Sequence, residues 1–527
     1  MSASPLQSFI AYKAETKSQC GNYRIDVTPP KEGEQYRFHF DATACVGCRC
    51  CEAACNEQNG NPANVKWRRV GEMEAGEFPN SKTLFNSMGC NHCIDPACLN
   101  GCPTNSYIKL ENGIVIHDDE GCIGCQYCTW NCPYEVPVFN PERGIVTKCH
   151  MCYEKLGARE TPACVQACPA GAIEIEVVNK DEWIRFGLQK DGSAPCVPDT
   201  NITKPTTRYT QNYETLNAKP ADSRFVKAGH SELPLVFMTV LTQLSFGAFV
   251  AIFMGSFLSF LGLKTAALDG ITAIFAFAPA LIGLSLSALH LGRPIFAYRA
   301  FKNQKTSWLS REALYLGVYA GLLSVVCGLL FIQTTPFIVF FVCAATFAAG
   351  FYGIYAQSMI YRVPARPSWD RVSTTYRFFG TGYIGFLVIA SVLSVRDGYG
   401  SALSVLSVAM LIAFFQLRLV YDEYSFLTLL DPETKNFNAL SKTKELLDNN
   451  FALLKKLRIG FLSAFGIILP LIATVLINSE IYFYGLLLCV VCVVGSFLAE
   501  IFGRYLFFKT AVSIGVAGNF FAANQRG

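Results

Sequence analysis

The sequence predicts a small α+β domain followed by an all-α bundle of eight transmembrane helices. Sixteen of the 23 cysteines fall in four groups within the first third of the 527 residues. Long, almost uncharged apolar runs fill most of the remainder, and the mean hydropathy of +0.30 agrees with a membrane protein. Together these observations indicate a chain that handles electrons beside a lipid bilayer.

The four cysteine groups have the spacing of iron–sulfur ligands. In the bacterial ferredoxin run C-x₂-C-x₂-C-x₃-C-P, three thiolates hold one cluster and the fourth cysteine reaches to its neighbour. The first and third groups keep this spacing, although Asn56 replaces the proline of the first; the second and fourth have an insertion before their third cysteine. The groups are Cys45, Cys48, Cys51 and Cys55; Cys90, Cys93, Cys98 and Cys102; Cys122, Cys125, Cys128 and Cys132; and Cys149, Cys152, Cys164 and Cys168. They supply ligands for four [4Fe–4S] clusters.

Disulfides and structural zinc explain these groups less well. Disulfides suit small secreted chains, and the N-terminal MSASPLQSFIAYKAETKSQC has no apolar signal segment. Zinc sites use C-x₂-C pairs but close on four ligands, so they do not require a further cysteine three residues on, followed by proline.

A hairpin signal connects the second group to the third. Asn112 and Gly113 lie between the β-forming runs 107–110 and 114–116. Ferredoxin modules join their cysteine runs in this way, so we expect these two groups to pair, and by elimination the first to pair with the fourth. This gives two pseudo-repeated ferredoxin-like modules, each with two [4Fe–4S] clusters. The expected ligand sets are Cys90, Cys93, Cys98 with Cys132; Cys122, Cys125, Cys128 with Cys102; Cys45, Cys48, Cys51 with Cys168; and Cys149, Cys152, Cys164 with Cys55.

The composition changes near residue 180 and again near residue 232. We expect a ferredoxin-like domain over 1–180, a polar, proline-punctuated tether over 181–232, a membrane anchor over 233–510 and a C-terminal tail over 511–527. A membrane helix needs about 20 apolar residues. Eight segments of the anchor qualify: Leu233 to Leu263, Gly270 to Leu291, Ala313 to Gln333, Phe337 to Ile360, Phe378 to Val395, Ser401 to Phe415, Ile459 to Asn478 and Ile481 to Phe502.

The charges of the loops predict the orientation. Loops on the side of the chain's N-terminus, after the second, fourth and sixth helices, are rich in Lys and Arg, whereas the opposite side has only Lys264 and Arg396. Basic residues near helix ends are retained in the cytoplasm. We therefore expect a multi-pass protein of the prokaryotic inner membrane with its iron–sulfur domain on the cytoplasmic side. The alternative is that the basic residues bind a partner subunit.

The motifs of both parts resemble one enzyme family. CVGCRCCEAAC, CNHCIDPACLNGCP, CIGCQYCTWNCPY and KCHMCYEKLGARETPACVQACP resemble the electron-transfer subunit of dimethyl sulfoxide reductase-type molybdoenzymes. LHLGRPIFAYRAFKNQKTSWLSREAL, at 289–314, resembles the eight-helix membrane anchor of the same enzymes. These are usually two polypeptides, so the chain resembles a fusion of both.

This resemblance implies that the anchor oxidises a quinol, menaquinol or ubiquinol, and that electrons pass through four clusters to a separate molybdopterin subunit. The chain has no region for a molybdopterin domain, so we expect an obligatory catalytic partner beside the quinone pool and the lipid bilayer, and no nucleic acid. Known reductases of this type generally face the periplasm. The cytoplasmic orientation predicted here departs from them and makes nitrate or another oxo-compound a reasonable acceptor.

Four residues near the second and third helices are candidates for the quinol site. His290 has a suitable ordinary pKa for a proton acceptor, and Glu312 is the candidate proton exit; both match the quinol-site pattern of the anchor family. Arg293 is a candidate for orienting the quinol oxygen, and Trp308 for stacking on its ring. The alternatives are an interfacial histidine, a snorkelling arginine and an interfacial tryptophan. Since only His230 and His290 lie at or in the membrane part, we expect no haem.

Two further functions stay open. Electron flow could be reversed, with a dehydrogenase partner reducing quinone, because sequence does not set cluster potentials. The chain could also be an ion-translocating redox module, but few ionisable residues fall inside the apolar runs. Of these, Asp269 is expected to cap the second helix, and Glu500 is expected to pair with Arg504 one turn later.

Overall fold

The computed structural model contains two compact units. The first comprises Met1–Val226, Lys305–Ser307 and Ser513–Gly527, and the second comprises Lys227–Gln304 and Trp308–Val512. The described residues are 29–195, 197–212, 216–221, 226, 228–229, 232–263, 269–396 and 399–515.

The first unit is α+β, with small sheets and short helices. Strand β1 lies between β8 and β9, antiparallel to β8 and parallel to β9, whereas β2 lies between β3 and β10 and is antiparallel to both. Two hairpins, β4–β5 and β6–β7, complete the strands. The strands are β1 Glu34–Asp41, β2 Arg69–Ala75, β3 Lys82–Met88, β4 Tyr107–Lys109, β5 Val115–His117, β6 Val138–Asn140, β7 Ile145–Thr147, β8 Ile173–Asn179, β9 Arg208–Thr210 and β10 Lys219–Pro220.

The first five helices of this unit begin within or just after the cysteine groups, and the sixth follows strand β8. They are α1 Cys50–Asn59, α2 Ala97–Gly101, α3 Tyr127–Asn131, α4 Tyr153–Gly157, α5 Ala163–Gln166 and α6 Lys180–Glu182, which continues into a π-helical turn over Trp183–Gly187. The largest core cluster of this unit includes Phe38, Phe40, Ile114 and Tyr134 together with cysteines of all four groups. Most of the sixteen cysteines therefore lie in or against hydrophobic core, whereas Cys48 is exposed.

The hairpin predicted around Asn112 and Gly113 is present as β4 and β5. The residues after Cys168 form strand β8, which pairs with β1 over seven residues. The segment 181–232, predicted to be a tether, supplies β9 and β10 to the two larger sheets. In the same segment, Thr206 and Thr207 donate hydrogen bonds to the backbone and side-chain oxygens of Asn91. Its polar side chains are therefore used within the unit.

The second unit is helical, and it has eight spans long and apolar enough to cross a membrane in the part of the chain that the structure describes. The fifth and seventh spans each combine two consecutive helices. The helices are α7 Leu233–Phe260, α8 Gly270–Ala288, α9 Trp308–Phe331, α10 Pro336–Tyr361, α11 Val372–Gly380, α12 Tyr383–Arg396, α13 Tyr399–Thr428, α14 Phe437–Glu445, α15 Ala452–Ser463, α16 Leu469–Asn478 and α17 Tyr482–Lys509. The predicted fold class, α+β followed by an eight-helix bundle, is confirmed.

Helix α7 is central in this unit, where it packs against α8, α10, α12 and α17. Its contact with α12 depends on glycines. A Cβ on Gly247 would lie 1.9 Å from the carbonyl oxygen of Gly382, and one on Gly385 would lie 2.1 Å from the backbone nitrogen of Ala248. Small residues allow this close backbone approach between membrane helices. Other helices expose apolar side chains as lipid-facing surface, among them Ile271, Phe275, Leu281 and Ile282 of α8.

Candidate functional site

The cysteine loops share one local geometry. The backbone N–H two residues after the first cysteine donates to its sulfur: His92 to Cys90 at 3.4 Å, Gly124 to Cys122 at 3.4 Å and Met151 to Cys149 at 3.3 Å. The first group repeats the contact between Gly47 and Cys45. All four donors have positive φ, between 42° for His92 and 70° for Gly124. This turn points the backbone N–H group toward the sulfur of the first cysteine in each group.

Three cavities are each lined by four cysteines, and each foursome is one of the ligand sets expected from the spacing. The first is lined by Cys90, Cys93, Cys98 and Cys132. The second is lined by Cys45, Cys48, Cys51 and Cys168. The third is lined by Cys55, Cys149, Cys152 and Cys164. In each cavity one cysteine comes from the partner group, as expected if the modules exchange their fourth ligands.

The remaining set, Cys102, Cys122, Cys125 and Cys128, is buried. Cys102, Cys122 and Cys125 act electrostatically on Cys128. The backbone N–H of Ser106 donates to the Cys102 sulfur at 3.4 Å. The structure thus brings this fourth set together next to β4.

The donor chemistry of these sites fits [4Fe–4S] clusters. All sixteen cysteines are free thiols, so none is used in a disulfide. Burial raises the pKa of Cys45 to about 11 and that of Cys132 to about 12, so a cation such as iron has to replace the proton before these sulfurs become thiolates. A bound cluster would supply a one-electron store at each site, with a potential set by charge, hydrogen bonds and solvent exposure.

Among the candidate quinol-site residues, His290 lies two residues after the end of α8. Its Nδ1 atom is buried without a hydrogen-bond partner. Burial lowers the pKa of His290 to about 4, although a backbone hydrogen bond at Ser287 opposes this shift. The imidazole is therefore neutral at physiological pH and has a free acceptor nitrogen.

Glu312 lies inside α9, one turn after its start, whereas the sequence placed it at the end of the preceding loop. Only 9% of the residue is exposed, and its carboxyl group bonds the Gln357 side chain of α10. Because α8 and α9 are adjacent, His290 and Glu312 lie at the same end of the bundle. Among the described residues, no hydrogen bond joins these two side chains.

The other two candidates lie beside them along the chain. Arg293 precedes a 3₁₀-helical stretch over Pro294–Phe301. Trp308 is the first residue of α9; its ring packs edge-on against Tyr355 at 5.8 Å, and the Arg311 guanidinium lies 4.3 Å above it. The arginine above this ring shows that Trp308 already has a stacking partner. His230, considered above as a haem ligand, lies outside the described residues.

Sequence reasoning missed a polar network buried among the membrane helices. From Gln357 the network continues to Gln243 of α7 at 2.8 Å, and Gln243 accepts from Arg504 of α17 at 2.8 Å. Glu500 accepts hydrogen bonds from Thr381 at 3.0 Å and Gln416 at 3.1 Å. Among the described residues no direct hydrogen bond joins Glu500 to Arg504, the pair predicted from the sequence. The two charges still attract each other, and each side chain also bonds residues outside its own helix.

Further charges extend this network. Arg377 of α11 pairs with Glu423 of α13, and Arg458 of α15 bonds the Tyr424 hydroxyl group. These residues were missed because each lies beyond the end of a predicted apolar run. By contrast, Asp269 caps α8 as predicted, accepting from the Thr272 backbone at 2.9 Å.

Comparison with known proteins assigns each part of the chain. The family described as "DMSO reductase anchor subunit" matches residues 226–509, and the family described as "4Fe-4S dicluster domain" matches residues 81–178. The second match begins after the first cysteine group.

Curated relatives match the first unit. One chain of the anaerobic dimethyl sulfoxide reductase of Haemophilus influenzae is 37% identical over 33% of this protein and 87% of its own length. One subunit of the sulfite dehydrogenase of Allochromatium vinosum is 33% identical over 33% of this protein and 82% of its own length. The iron-sulfur subunit of the nitrate-inducible formate dehydrogenase of Escherichia coli is 35% identical over 31% of this protein and 62% of its own length. The protein belongs to the DMSO reductase anchor subunit family and combines that membrane anchor with the iron–sulfur subunit of the same molybdoenzymes on one polypeptide.

Proposed function

We propose that this chain oxidises quinol in its membrane unit and passes the electrons through four [4Fe–4S] clusters to a separate molybdopterin-containing subunit. The observation that carries this proposal is the set of three cavities, each lined by four cysteines, on the same chain as the membrane anchor. Each quinol oxidised yields quinone, two electrons and two protons, so a site for this reaction needs proton acceptors.

His290 and Glu312 supply those acceptors in the proposal. The unpaired, neutral nitrogen of His290 takes one proton from a quinol hydroxyl group. Glu312 takes the second, held in place by its bond to Gln357. Arg293 orients the quinol oxygen, and Trp308 forms an apolar wall of the site. The electrons leave separately, through the cysteine-held clusters.

The proposal includes the direction of electron flow, from quinol to the clusters, and the identity of the catalytic partner. Quinol oxidation serves a reductase, and the proposed acceptor is nitrate or another oxo-compound on the cytoplasmic side. The names of the sulfite and formate dehydrogenase relatives favour a second candidate, in which a dehydrogenase reduces the clusters and quinone is the final acceptor. Both candidates use the same cysteines and the same quinone site.

One experiment on the purified complex separates these possibilities. Menaquinol and ubiquinol analogues are added to oxidised complex while the clusters are followed by EPR, and co-purifying subunits are identified by mass spectrometry. The proposal expects about sixteen iron atoms per chain, rapid cluster reduction by one of the quinols and a molybdopterin subunit. Far less iron, or haem absorbance, would contradict it. Clusters reduced only by the partner's substrate would favour reversed flow.

A further inference from the structure

Arg68 is a buried cation between two of the cysteine-lined cavities. It immediately precedes β2 and is 3% exposed. Its guanidinium lies 4.5 Å above the Phe38 ring, and Nη1 donates to the backbone oxygen of Ser87 at 3.4 Å and to its hydroxyl at 3.3 Å. The Ser87 hydroxyl oxygen is also 3.3 Å from the Cys51 sulfur. Arg68 is thus fixed in position with one serine between it and a cluster ligand.

The charge of Arg68 has no carboxylate partner among the described residues. Its Nη2 atom is buried without a hydrogen-bond partner, next to Gly89, where an added Cβ would lie only 3.2 Å away. An unpaired buried cation is strongly destabilising unless an anion is close. This one therefore indicates negative charge in the neighbouring space.

Cysteine sulfurs are the anions that the surroundings offer Arg68. Arg68 lines the third cavity, the one formed by Cys55 and the fourth cysteine group. Burial by itself would lower the pKa of Arg68, but the sulfurs of both cavities outweigh burial and raise it: Cys164, Cys51, Cys149 and Cys55. Cys51 belongs to the second cavity and the other three to the third.

We propose that Arg68 is the counter-charge of the clusters in these two cavities and raises their reduction potentials, most strongly that of the cluster in the third cavity. This inference rests on the proposed iron–sulfur function of the cysteines. Four thiolates make the cluster anionic, and reduction adds one more negative charge. A cation held in low dielectric stabilises the reduced form more than the oxidised form.

The neighbourhood of Arg37 provides a matched control. Arg37 is also a partly buried cation of the first unit, on β1, but it pairs with Glu176 at 2.8 Å and lies 4.7 Å above the Trp183 ring. Its charged neighbours are Glu176, Arg208 and Asp191. An Arg37→Gln change therefore removes a guanidinium from the same unit without removing charge from beside a cluster.

The test is an EPR-monitored redox titration of the purified holo-complex with Arg68→Gln, Arg68→Lys and Arg37→Gln variants. At the wild-type midpoint potential, R68Q should lower the ratio of reduced to oxidised cluster in one resolved signal at least tenfold, equivalent to 59 mV for one electron. R68K retains the charge and should recover most of this loss. R37Q should titrate as the wild type does.

Iron content distinguishes failure of this inference from failure of the proposed function. If wild-type protein contains far less than about sixteen iron atoms per chain, the four-cluster function itself fails. If R68Q contains full iron and its signals all titrate as in the wild type, Arg68 is not the counter-charge. If R68Q does not retain its iron, the R68K variant is the deciding measurement. Cluster potentials in R68K equal to those of the wild type support a charge effect. Shifted potentials in R68K overturn the inference, because the shape of the guanidinium group would then matter and not its charge.

Discussion

Glu312 is the most deeply placed acid of the proposed quinol site, and its bond to Gln357 makes a conservative test possible. Glu312→Gln keeps a side chain of the same size that can still bond Gln357 but cannot accept a proton. We expect quinol-driven cluster reduction to slow by about 10² or more, the usual range for loss of a general base. Stopped-flow reduction of the clusters by quinol measures this rate.

The exposed Glu433 of the same unit provides the control for this variant. Glu433→Gln should leave the rate unchanged, and dithionite should reduce the clusters of both variants equally. A Glu312→Gln protein with the wild-type rate would remove this carboxyl group from the site.

His290 should give the quinol reaction a distinctive pH dependence. Its pKa is lowered from the usual 6.5 to about 4 because burial disfavours the imidazolium ion. The acceptor form therefore predominates above this value, so the rate limited by His290 should stay level from neutral pH down to about 5 and fall as pH approaches 4. Rates of cluster reduction by quinol, measured over this pH range, test whether the rate falls as the pH is lowered toward 4.

His290→Asn supplies the comparison, because asparagine still bonds the quinol but does not accept its proton. The variant should lose rate at every pH and retain its cluster spectra. A wild-type rate that instead falls through pH 6.5 would show an ordinary, solvated histidine.

At the scale of elements, charged residues explain where the predicted membrane helices stop short. Hydropathy ends the sixth helix near Phe415, but α13 continues to Thr428 through Glu423. It starts the seventh at Ile459, but the span begins at Ala452 and includes Arg458. A charged residue lowers the mean hydropathy of its sequence window, so the predicted helix ends before it. Whether that residue is paired with a charge on another helix depends on contacts that are distant in sequence. The hairpin and the spacing within each cysteine group could be predicted because that information is local in the sequence; the buried ion pairs could not.

The ion pair between Arg377 of α11 and Glu423 of α13 should stabilise the helical unit only as a pair. Removing one partner leaves a buried, uncompensated charge, with an expected loss of about 3–5 kcal/mol of unfolding free energy. We therefore expect Glu423→Gln to lower the detergent melting temperature, and the double variant Arg377→Gln with Glu423→Gln to recover part of the loss.

Thermal unfolding followed by circular dichroism of the purified complex measures both variants. Arg418→Gln is the control, because Arg418 pairs with Asp422 of the same helix at an exposed position. Equal destabilisation by the single and double variants would mean that the two residues act independently.

At the scale of the whole molecule, the buried carboxylates and guanidinium groups of the described helices occupy one half of the helical unit. Glu312 lies one turn inside the start of α9, and Glu423 and Arg504 lie within roughly two turns of the ends of α13 and α17. Successive spans run in opposite directions, so all these positions belong to the half in which α7 begins. In the other half the buried polar residues include hydroxyls such as Ser256 and Ser391. For the proposed quinol oxidation, this distribution favours proton release on the side of α7's start over proton transfer across the bilayer.

The same side carries the basic loops, and these predict the orientation of the helical unit in the membrane. The loops after α8, α10 and α13 contain Arg299, Arg366 and Lys435, among other cations, and basic loops stay in the cytoplasm. A fluorescent reporter inserted after Glu433 should therefore fold and fluoresce, whereas an alkaline phosphatase reporter there should be inactive. Inserted at Ser479, between α16 and α17, the phosphatase should be active instead, because that loop lies on the opposite side. The reverse pattern would place quinol proton release, and the proposed acceptor, on the periplasmic side.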